Sequence, residues 1–349
     1  MLTTTLSPDH RISRVIRGNW QLAGGHGAID RDAALDDLMA FAEAGITTFD
    51  CADIYTGVEE LIGDFRRRLL AERGTAALDA IRVHTKFVPD LDMLARIDRR
   101  SVETAIDTSL KRLNTEQLDL VQFHWWDYAV DGWLETAGWL GGLKQAGKIR
   151  NVGGTNFDTP HLTAMLDAGV PLVSMQVQYS LLDTRPEQSM VAVGAERGVQ
   201  LLCYGTVAGG FLSDAWLGAR EPAEPLENRS LVKYRLMIDE AGGWAAFQAL
   251  LQALRGVADR HGSDIATVAS RWVLDRPGVA AVIVGARNRS HLAANLAIAD
   301  LALDADDHAA IATARADLQT ATGDVYALER DRDGRHGAIM RYSINSEDA

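Results

Sequence analysis

Cysteine is scarce in this chain of 349 residues, and long apolar runs are missing. The two cysteines, Cys51 and Cys203, form no Cys-x-x-Cys pair and no disulfide framework, so reduced thiols in a cytoplasmic protein are the simplest interpretation. No apolar run approaches the ~20 residues that a membrane-spanning helix needs. The first residues lack a basic stretch followed by an apolar one, which a secretory signal requires. We therefore expect a cytoplasmic protein that does not enter a membrane.

An excess of basic residues is also missing. Lys and Arg total 35 against 48 Asp and Glu, which gives a formal net charge of −13. A protein of this charge is repelled by phosphate backbones, which argues against nucleic acid as a partner. The sequence also contains no His-Glu-x-x-His motif and no cluster of Cys and His residues, so it gives no reason to predict a metal site.

Short apolar runs alternate with amphipathic segments along most of the chain. The predicted strands are Ile46–Phe49, Ile81–Val88, Leu118–Phe123, Ile149–Gly153, Leu172–Val177, Val199–Tyr204 and Val279–Val284, with a first strand near Ser13–Gly18. Runs rich in Val, Ile and Leu without strict alternation are typical of a parallel sheet whose outer face is covered by helices. Eight such strands, each followed by a helical pattern, favour a closed (β/α)8 barrel over residues 1–320. An open doubly wound sheet is the alternative, but its Gly-x-Gly-x-x-Gly loop is absent.

Two segments depart from this rhythm. Gly205–Gly262 separates the seventh barrel strand from its helix, and long loops of this kind in barrels usually serve the active face. Residues 321–349 form a charged C-terminal tail, and the sequence does not decide between a flexible arm and a cover over the barrel mouth.

Ionisable residues stand at the ends of three successive predicted strands. Asp50 follows one strand, Lys86 closes the next and His124 closes the third, while Tyr55 lies in the loop after Asp50. Neighbouring strands are only ~5 Å apart, so the four side chains can converge on one point. Each residue alone has an ordinary explanation as a packed or rim residue, but four at equivalent strand ends are hard to explain by packing.

Carbonyl reduction gives this group a chemical role. The reaction needs hydride at carbon and a proton at oxygen, and a tyrosine with an ordinary pKa of ~10 is a weak acid for neutral pH. An adjacent ammonium group at Lys86 is expected to lower that pKa, and Asp50 would keep Lys86 charged and oriented. His124 would hydrogen-bond the carbonyl oxygen beside Tyr55.

These residues resemble the signature of the aldo-keto reductase superfamily, over roughly residues 12–303. The motifs that carry the resemblance occur in the family's order: Gly45-Ile-Thr-Thr-Phe-Asp50-Cys-Ala-Asp-Ile-Tyr55, Thr85-Lys86-Phe87, Leu118-Asp-Leu-Val-Gln-Phe-His124 and Gly147-Lys-Ile-Arg-Asn-Val-Gly-Gly-Thr155-Asn156-Phe157. The resemblance implies that Asp50, Tyr55, Lys86 and His124 form the catalytic tetrad.

The resemblance also implies a set of cofactor contacts. Residues matching the nicotinamide and pyrophosphate positions are Thr155, Asn156, Gln176, Tyr204, Gly205, Gly209, Phe211 and Ser213, and those matching the adenosine-phosphate positions are Gly285, Arg287, His291 and Asn295. Trp20 and Trp125 fall where relatives line the substrate pocket. His291 and Ala294 depart from the usual residues near the adenosine, but Arg287 can pair with a 2′-phosphate, so NADPH is favoured over NADH.

The leading hypothesis is therefore a reductase of small carbonyl compounds, which could also run in reverse as an alcohol or sugar dehydrogenase. A second hypothesis is a nicotinamide-binding regulatory subunit with little turnover. A third is an unrelated barrel enzyme, such as an aldolase that uses Lys86 as a Schiff base, which a Lys86 kept protonated by Asp50 would disfavour.

Overall fold

Eight parallel strands close into a barrel in the computed structural model, which describes residues 2–23, 29–223 and 225–342. An N-terminal antiparallel hairpin, β1 (Thr3–Ser7) and β2 (His10–Ser13), precedes the barrel. The barrel strands are β3 (Val15–Gly18), β4 (Thr48–Asp50), β5 (Arg82–Phe87), β6 (Leu118–Phe123), β7 (Ile149–Thr155), β8 (Leu172–Gln178), β9 (Gln200–Tyr204) and β10 (Val279–Gly285). β10 pairs with β3 and closes the ring, which confirms the (β/α)8 barrel.

Helices cover the outside of the barrel. They are α1 (Arg31–Glu43), α2 (Val58–Arg73), α3 (Thr75–Ala80), α4 (Arg99–Arg112), α5 (Trp133–Gln145), α6 (Thr159–Asp167), α7 (Met190–Arg197), α8 (Arg229–Glu240), α9 (Trp244–Arg260), α10 (Ile265–Leu274), α11 (Leu292–Asp300), α12 (Ala305–Ala316) and α13 (Ala327–Arg330). Side-chain caps begin several of them, as where Asp98 accepts a hydrogen bond from the Ser101 amide. Among the described residues, no helix is both long and apolar enough to cross a bilayer.

The long segment after β9 is itself helical. It contains α8 and α9 before the chain returns to the barrel with α10. Phe211, Trp216, Trp244 and Phe247 pack against one another and join this insertion to the barrel through one apolar cluster. The predicted long insertion is thus confirmed, and two helices that the sequence analysis did not predict lie within it.

The C-terminal segment crosses the barrel mouth. After α12 the chain passes the end of α8, where the Gln319 amide donates to the Ala241 carbonyl, and it runs on to Tyr342, whose carbonyl accepts from the Leu91 amide. The sequence left open whether the tail is a flexible arm or a cover over the barrel mouth. In the structure, residues 321–342 cover the mouth. Residues 343–349 lie outside the described part of the chain.

The N-terminal hairpin closes the opposite end of the barrel. His10 on β2 reaches into the barrel, where its Nε2 lies 3.0 Å from the Nε2 of His84 on β5. Both imidazoles are fully buried, and the hydrogen bond between them needs one donor and one acceptor. Burial lowers the pKa of His10 to about 4 and holds the pKa of His84 well below its ordinary value. The pair is therefore neutral at neutral pH.

Because of this histidine pair, we expect the folded protein to lose stability at acid pH. An unfolded imidazole has a pKa of about 6.5, so between pH 6.5 and 4 the unfolded chain binds more protons than the folded one. The free energy of unfolding should therefore fall as the pH drops through this window, by roughly 3 kcal/mol for a single group shifted this far. Urea denaturation at a series of pH values measures the slope.

A double variant isolates the pair. His10→Leu combined with His84→Leu should make the slope between pH 6.5 and 4 much shallower, and the buried His124, with its pKa of about 3, accounts for a remaining slope of the same sign. The exposed His291 provides the matched control, since His291→Gln should leave the slope unchanged. An unaltered slope in the double variant would show that other groups cause the acid sensitivity.

Candidate active site

A buried ion pair lies at the centre of the barrel mouth. The Lys86 Nζ is 2.6 Å from the Asp50 Oδ2 and 2.8 Å from the Cys51 carbonyl oxygen. Both charged side chains are almost fully buried. Burial by itself lowers the pKa of Lys86, but the Asp50 charge and hydrogen bond outweigh it and raise that pKa above its ordinary value. Lys86 is therefore held as an ammonium group, which disfavours the Schiff-base hypothesis.

Two glutamines complete the environment of Asp50. The Nε2 atoms of Gln122 and Gln176 donate to the Asp50 Oδ1 at 3.0 Å and 2.7 Å, and Gln176 also donates to the Gln122 Oε1 at 2.9 Å. Both oxygens of this buried carboxylate are thus satisfied. Gln122 was not predicted as a site residue, yet it lies on β6 two residues before His124, which directly follows that strand, and this spacing places both side chains on the inner face of the barrel.

Tyr55 lies against this ion pair. The Lys86 Nζ is 5.0 Å from the centroid of the Tyr55 ring, and the Trp20 ring lies 5.0 Å from it on a tilted plane. Burial raises the pKa of Tyr55 and the charge of Lys86 lowers it, with a net rise above the ordinary value. Lys86 thus lowers this pKa in the expected direction, but the loss of solvation at the phenol outweighs the ammonium charge, so the net pKa lies above the ordinary value.

His124 is neutral and has a defined tautomer. Its Nδ1 lies 3.0 Å from the Thr155 carbonyl oxygen, which can only accept, so Nδ1 carries the hydrogen. Burial, and to a lesser extent the charge of Arg330, lower the pKa of His124 to about 3. Nε2 therefore presents a lone pair, and it has no hydrogen-bond partner among the described residues. In this tautomer the His124 Nε2 can accept a hydrogen bond from a ligand at the mouth but cannot donate one.

The structure corrects the prediction for Trp125. Its side chain is fully buried on the outer side of the barrel wall. Its Nε1 donates to the Asp127 and Val130 carbonyls, and its indole packs on Phe123. Because side chains alternate along β6 and its extension, His124 faces the mouth and Trp125 faces the helices. Trp126 is the indole at the site, with its ring 4.3 Å from His124 in an edge-on arrangement.

The residues matched to the nicotinamide lie together at the ends of β7, β8 and β9. Thr155 pairs with Gln176 across the two strands, and the Asn156 amide donates to the Gln176 carbonyl. The Tyr204 hydroxyl donates to the Asn156 Oδ1 at 2.8 Å. Asn156 adopts a left-handed backbone conformation with φ 60°, which brings its side chain back towards Tyr204. An aromatic face and two amide groups thus stand side by side, which fits the polar edge of a nicotinamide.

The glycine-rich loop after β9 packs against the insertion. Gly205 and Gly209 both have positive φ, and a Cβ at either position would lie within 2.7 Å of the Tyr234 side chain. Phe211 is fully buried in the aromatic cluster of the insertion, so its side chain packs within the protein and only its backbone can reach a ligand. Ser213 donates to the Gly210 carbonyl and thereby tightens the loop. A ligand that binds along this loop can therefore contact the loop mainly through its backbone atoms.

The residues matched to the adenosine phosphate are on the surface after β10. Gly285, Arg287 and His291 are exposed, whereas Asn295 is buried on α11 and its Nδ2 has no partner among the described residues. An exposed guanidinium and an unsatisfied amide donor are each suited to a phosphate or its neighbouring polar groups. The donors at the ends of β7 to β9 and after β10 are of the kinds that the two ends of a dinucleotide need.

The sequence profile described as the Aldo/keto reductase family matches residues 14–316, most of the chain. The protein belongs to the aldo/keto reductase family. Among the relatives of this family member, flagellar radial spoke protein 5 of Chlamydomonas reinhardtii is 30% identical over 261 residues. That match covers 64% of this chain but only 49% of the relative, so the chain spans about half of that protein's length.

Two further proteins extend the comparison. The NADH-specific methylglyoxal reductase of Escherichia coli (strain K12) is 24% identical over 314 residues, covering 85% of this aldo/keto reductase and 93% of the relative. The solved structure of a glycerol dehydrogenase from Gluconobacter oxydans superposes with a TM-score of 0.75 at 24% identity, covering 90% of this chain and 95% of that one. At this identity the superposition establishes the shared barrel fold.

Proposed function

We propose that this protein is a cytoplasmic aldo/keto reductase that converts an aldehyde or ketone to the alcohol with NADPH, and that Tyr55 donates the proton. One observation carries the proposal above the others. A buried Lys86–Asp50 ion pair, closed by two glutamines, lies directly against the Tyr55 ring at the mouth of the barrel. A buried pair of charges is costly to maintain, and the support of a phenolate beside it supplies a reason.

When bound, a reduced nicotinamide supplies the hydride that attacks the carbonyl carbon. The carbonyl oxygen then carries the displaced electron pair, and the Tyr55 hydroxyl transfers its proton to it. An alkoxide is more basic than a phenolate, so the transfer is favourable even though burial raises the pKa of Tyr55. The Lys86 ammonium stabilises the phenolate that remains, and Asp50 keeps Lys86 in place.

His124 serves the product side of this reaction. With Nδ1 bound to the Thr155 carbonyl, the Nε2 lone pair can accept the hydrogen bond of the alcohol once it forms. The same contact orients an alcohol for the reverse reaction. This assignment replaces the donor role that the sequence suggested for His124.

The preference for NADPH depends on Arg287. This exposed guanidinium after β10 can bind a 2′-phosphate through two parallel hydrogen bonds, which NADH lacks. The Escherichia coli relative is named for the use of NADH, so family membership does not decide the cofactor. The choice is therefore proposed from the side chain that this chain has at position 287.

Arg287→Leu tests the cofactor assignment. The dissociation constant for NADPH should rise by about 10- to 100-fold, the range of a lost hydrogen bond to a charged group, while that for NADH stays within about twofold. Quenching of tryptophan fluorescence during titration with each dinucleotide measures both constants. Arg332, an exposed arginine paired with Asp127, provides the control variant Arg332→Leu, for which neither constant should change.

A panel of aldehydes, ketones and sugars with the preferred dinucleotide tests the activity itself. Oxidation of the cofactor that depends on a carbonyl compound supports the reductase. Tight binding of the dinucleotide without oxidation by any member of the panel would favour the regulatory subunit instead.

A further inference from the structure

A lysine of the insertion lies over the aromatic ring that matches the nicotinamide position. Lys233 is on α8, and its Nζ is 5.3 Å from the centroid of the Tyr204 ring at the end of β9. The glycine-rich loop lets the helix come this close, because a Cβ at Gly205 or Gly209 would lie within 2.7 Å of the Tyr234 side chain. Tyr234 directly follows Lys233 in the helix, so this packing places the ammonium group beside Tyr204.

The ammonium group of Lys233 belongs to a buried group of charges. Its Nζ lies 3.6 Å from the Glu329 Oε1, and both oxygens of Glu329 also accept from the Arg185 guanidinium, at 3.1 Å and 3.3 Å. Arg185 pairs in turn with the buried Asp183 at 2.7 Å. Burial lowers the pKa of Lys233, but the Glu329 carboxylate opposes this shift and favours the charged amine. Since Arg185 binds both carboxylates at shorter distances, Lys233 is the more weakly paired of the two cations.

Aromatic rings form the rest of the surroundings of this ammonium group. Besides Tyr204, the rings of Tyr234 and Tyr326 have their centroids 5.6 Å and 5.7 Å from the Lys233 Nζ. The faces of aromatic rings carry partial negative charge and attract cations, and the attraction grows when water is excluded. The Lys233 side chain is only 17% exposed. The Tyr204 ring therefore already interacts with one cation before any ligand binds.

The two redox forms of a nicotinamide differ in charge. The oxidised ring is a pyridinium cation, whereas the reduced dihydropyridine ring is neutral. A pyridinium beside Tyr204 is repelled by the Lys233 ammonium, and charges at a largely buried site are only weakly screened by solvent. A neutral ring meets no such repulsion. The charge at position 233 should therefore weaken the binding of the oxidised form more than that of the reduced form.

We propose that Lys233 is a specificity-determining residue for the redox state of the cofactor, because its charge beside Tyr204 makes the site prefer reduced over oxidised nicotinamide. The inference rests on the proposed reductase function, since it concerns a dinucleotide bound in the same site. In the direction of carbonyl reduction, this preference favours loading of the site with the reduced dinucleotide and release of the oxidised one. Arg287, in contrast, acts on the 2′-phosphate, which both redox forms share.

Neutral variants at position 233 test the inference. The measured quantity is the dissociation constant for NADP⁺ divided by that for NADPH, each obtained from quenching of tryptophan fluorescence. Lys233→Met should lower this ratio about fivefold, the size expected for a unit charge close to a largely buried site. At about 29.6 mV per tenfold for a two-electron couple, the midpoint potential of the bound dinucleotide should fall by about 20 mV. Lys233→Gln, which keeps a polar head near Glu329, should give the same change.

Two control variants separate charge from shape. Lys233→Arg retains the positive charge and should keep the ratio within about twofold of the parent value. Lys111→Met removes an exposed lysine in the last turn of α4, so it changes the net charge of the protein equally and should leave the ratio unchanged. The ratio itself guards against local damage, because a distorted site weakens the binding of both redox forms together.

The outcomes separate this inference from the proposed function. An unchanged ratio in both neutral variants, or equal weakening of the two redox forms, would overturn the role of Lys233 and leave it a structural residue. If the parent protein binds the dinucleotide but reduces no carbonyl compound, the reductase is refuted, yet the ratio still decides the role of Lys233. A parent protein that binds neither NADPH nor NADH would refute both. If NADH is the preferred dinucleotide, the same ratio is measured with NAD⁺ and NADH.

Discussion

Tyr55→Phe is expected to lower kcat for carbonyl reduction by about 10²- to 10⁴-fold, the usual contribution of a general acid. The substitution removes one oxygen and keeps the ring that lies between Trp20 and Lys86. Without the hydroxyl, the nascent alkoxide must take its proton from solvent in a buried site. Steady-state kinetics with the best aldehyde of the panel measures the loss, and fluorescence titration should show nearly unchanged NADPH binding.

Tyr179 offers a matched control for this experiment. Its hydroxyl donates to Glu187 and its ring packs on Trp272 on the outer side of the barrel, away from the ion pair. Tyr179→Phe removes the same atom and should leave kcat within about twofold. Equal losses in both variants would indicate a general effect on the fold, and full activity in Tyr55→Phe would show that another group protonates the product.

The residues at the strand ends were predictable because the C-terminal ends of all strands lie at the same end of a parallel barrel. Asp50 ends β4, Lys86 is the penultimate residue of β5 and His124 directly follows β6, and adjacent strands bring those ends to one mouth. Gln122 could have been found by the same rule, because it shares the inner face of β6 with His124. Trp125 was predicted from a family position, although the alternation along β6 indicates that it faces outward.

Other features depend on tertiary contacts that a single sequence does not encode locally. The net pKa of Tyr55 results from a balance between burial and the Lys86 charge, and burial is known only from the packed structure. The anchoring of the C-terminal segment includes the pairing of Glu329 with Arg185, residues that are separated by 144 positions in the chain. Polar segments such as the tail have little apolar periodicity in their sequence. They are held in place by ion pairs and backbone contacts and not by a periodic apolar face.

Lys86→Met should affect stability and catalysis together. Removal of the ammonium leaves the buried Asp50 carboxylate without its counter-charge, and breaking a buried pair by loss of one partner costs about 3–5 kcal/mol in the free energy of unfolding. Lys86 also lowers the pKa of Tyr55, so its loss should raise that pKa further. In the reduction direction, which needs protonated Tyr55, the alkaline limb of the pH–kcat profile should therefore move to higher pH.

A second substitution separates the two effects of Lys86. In Lys86→Met combined with Asp50→Asn, no unpaired charge remains, so most of the lost stability should return while kcat stays low, since the phenolate still lacks its cation. Lys148→Met, which removes an exposed lysine paired with Asp107, should change the free energy of unfolding by less than about 1 kcal/mol. Recovery of kcat in the double variant would mean that Lys86 acts only by neutralising Asp50, and the support of Tyr55 by its charge would have to be abandoned.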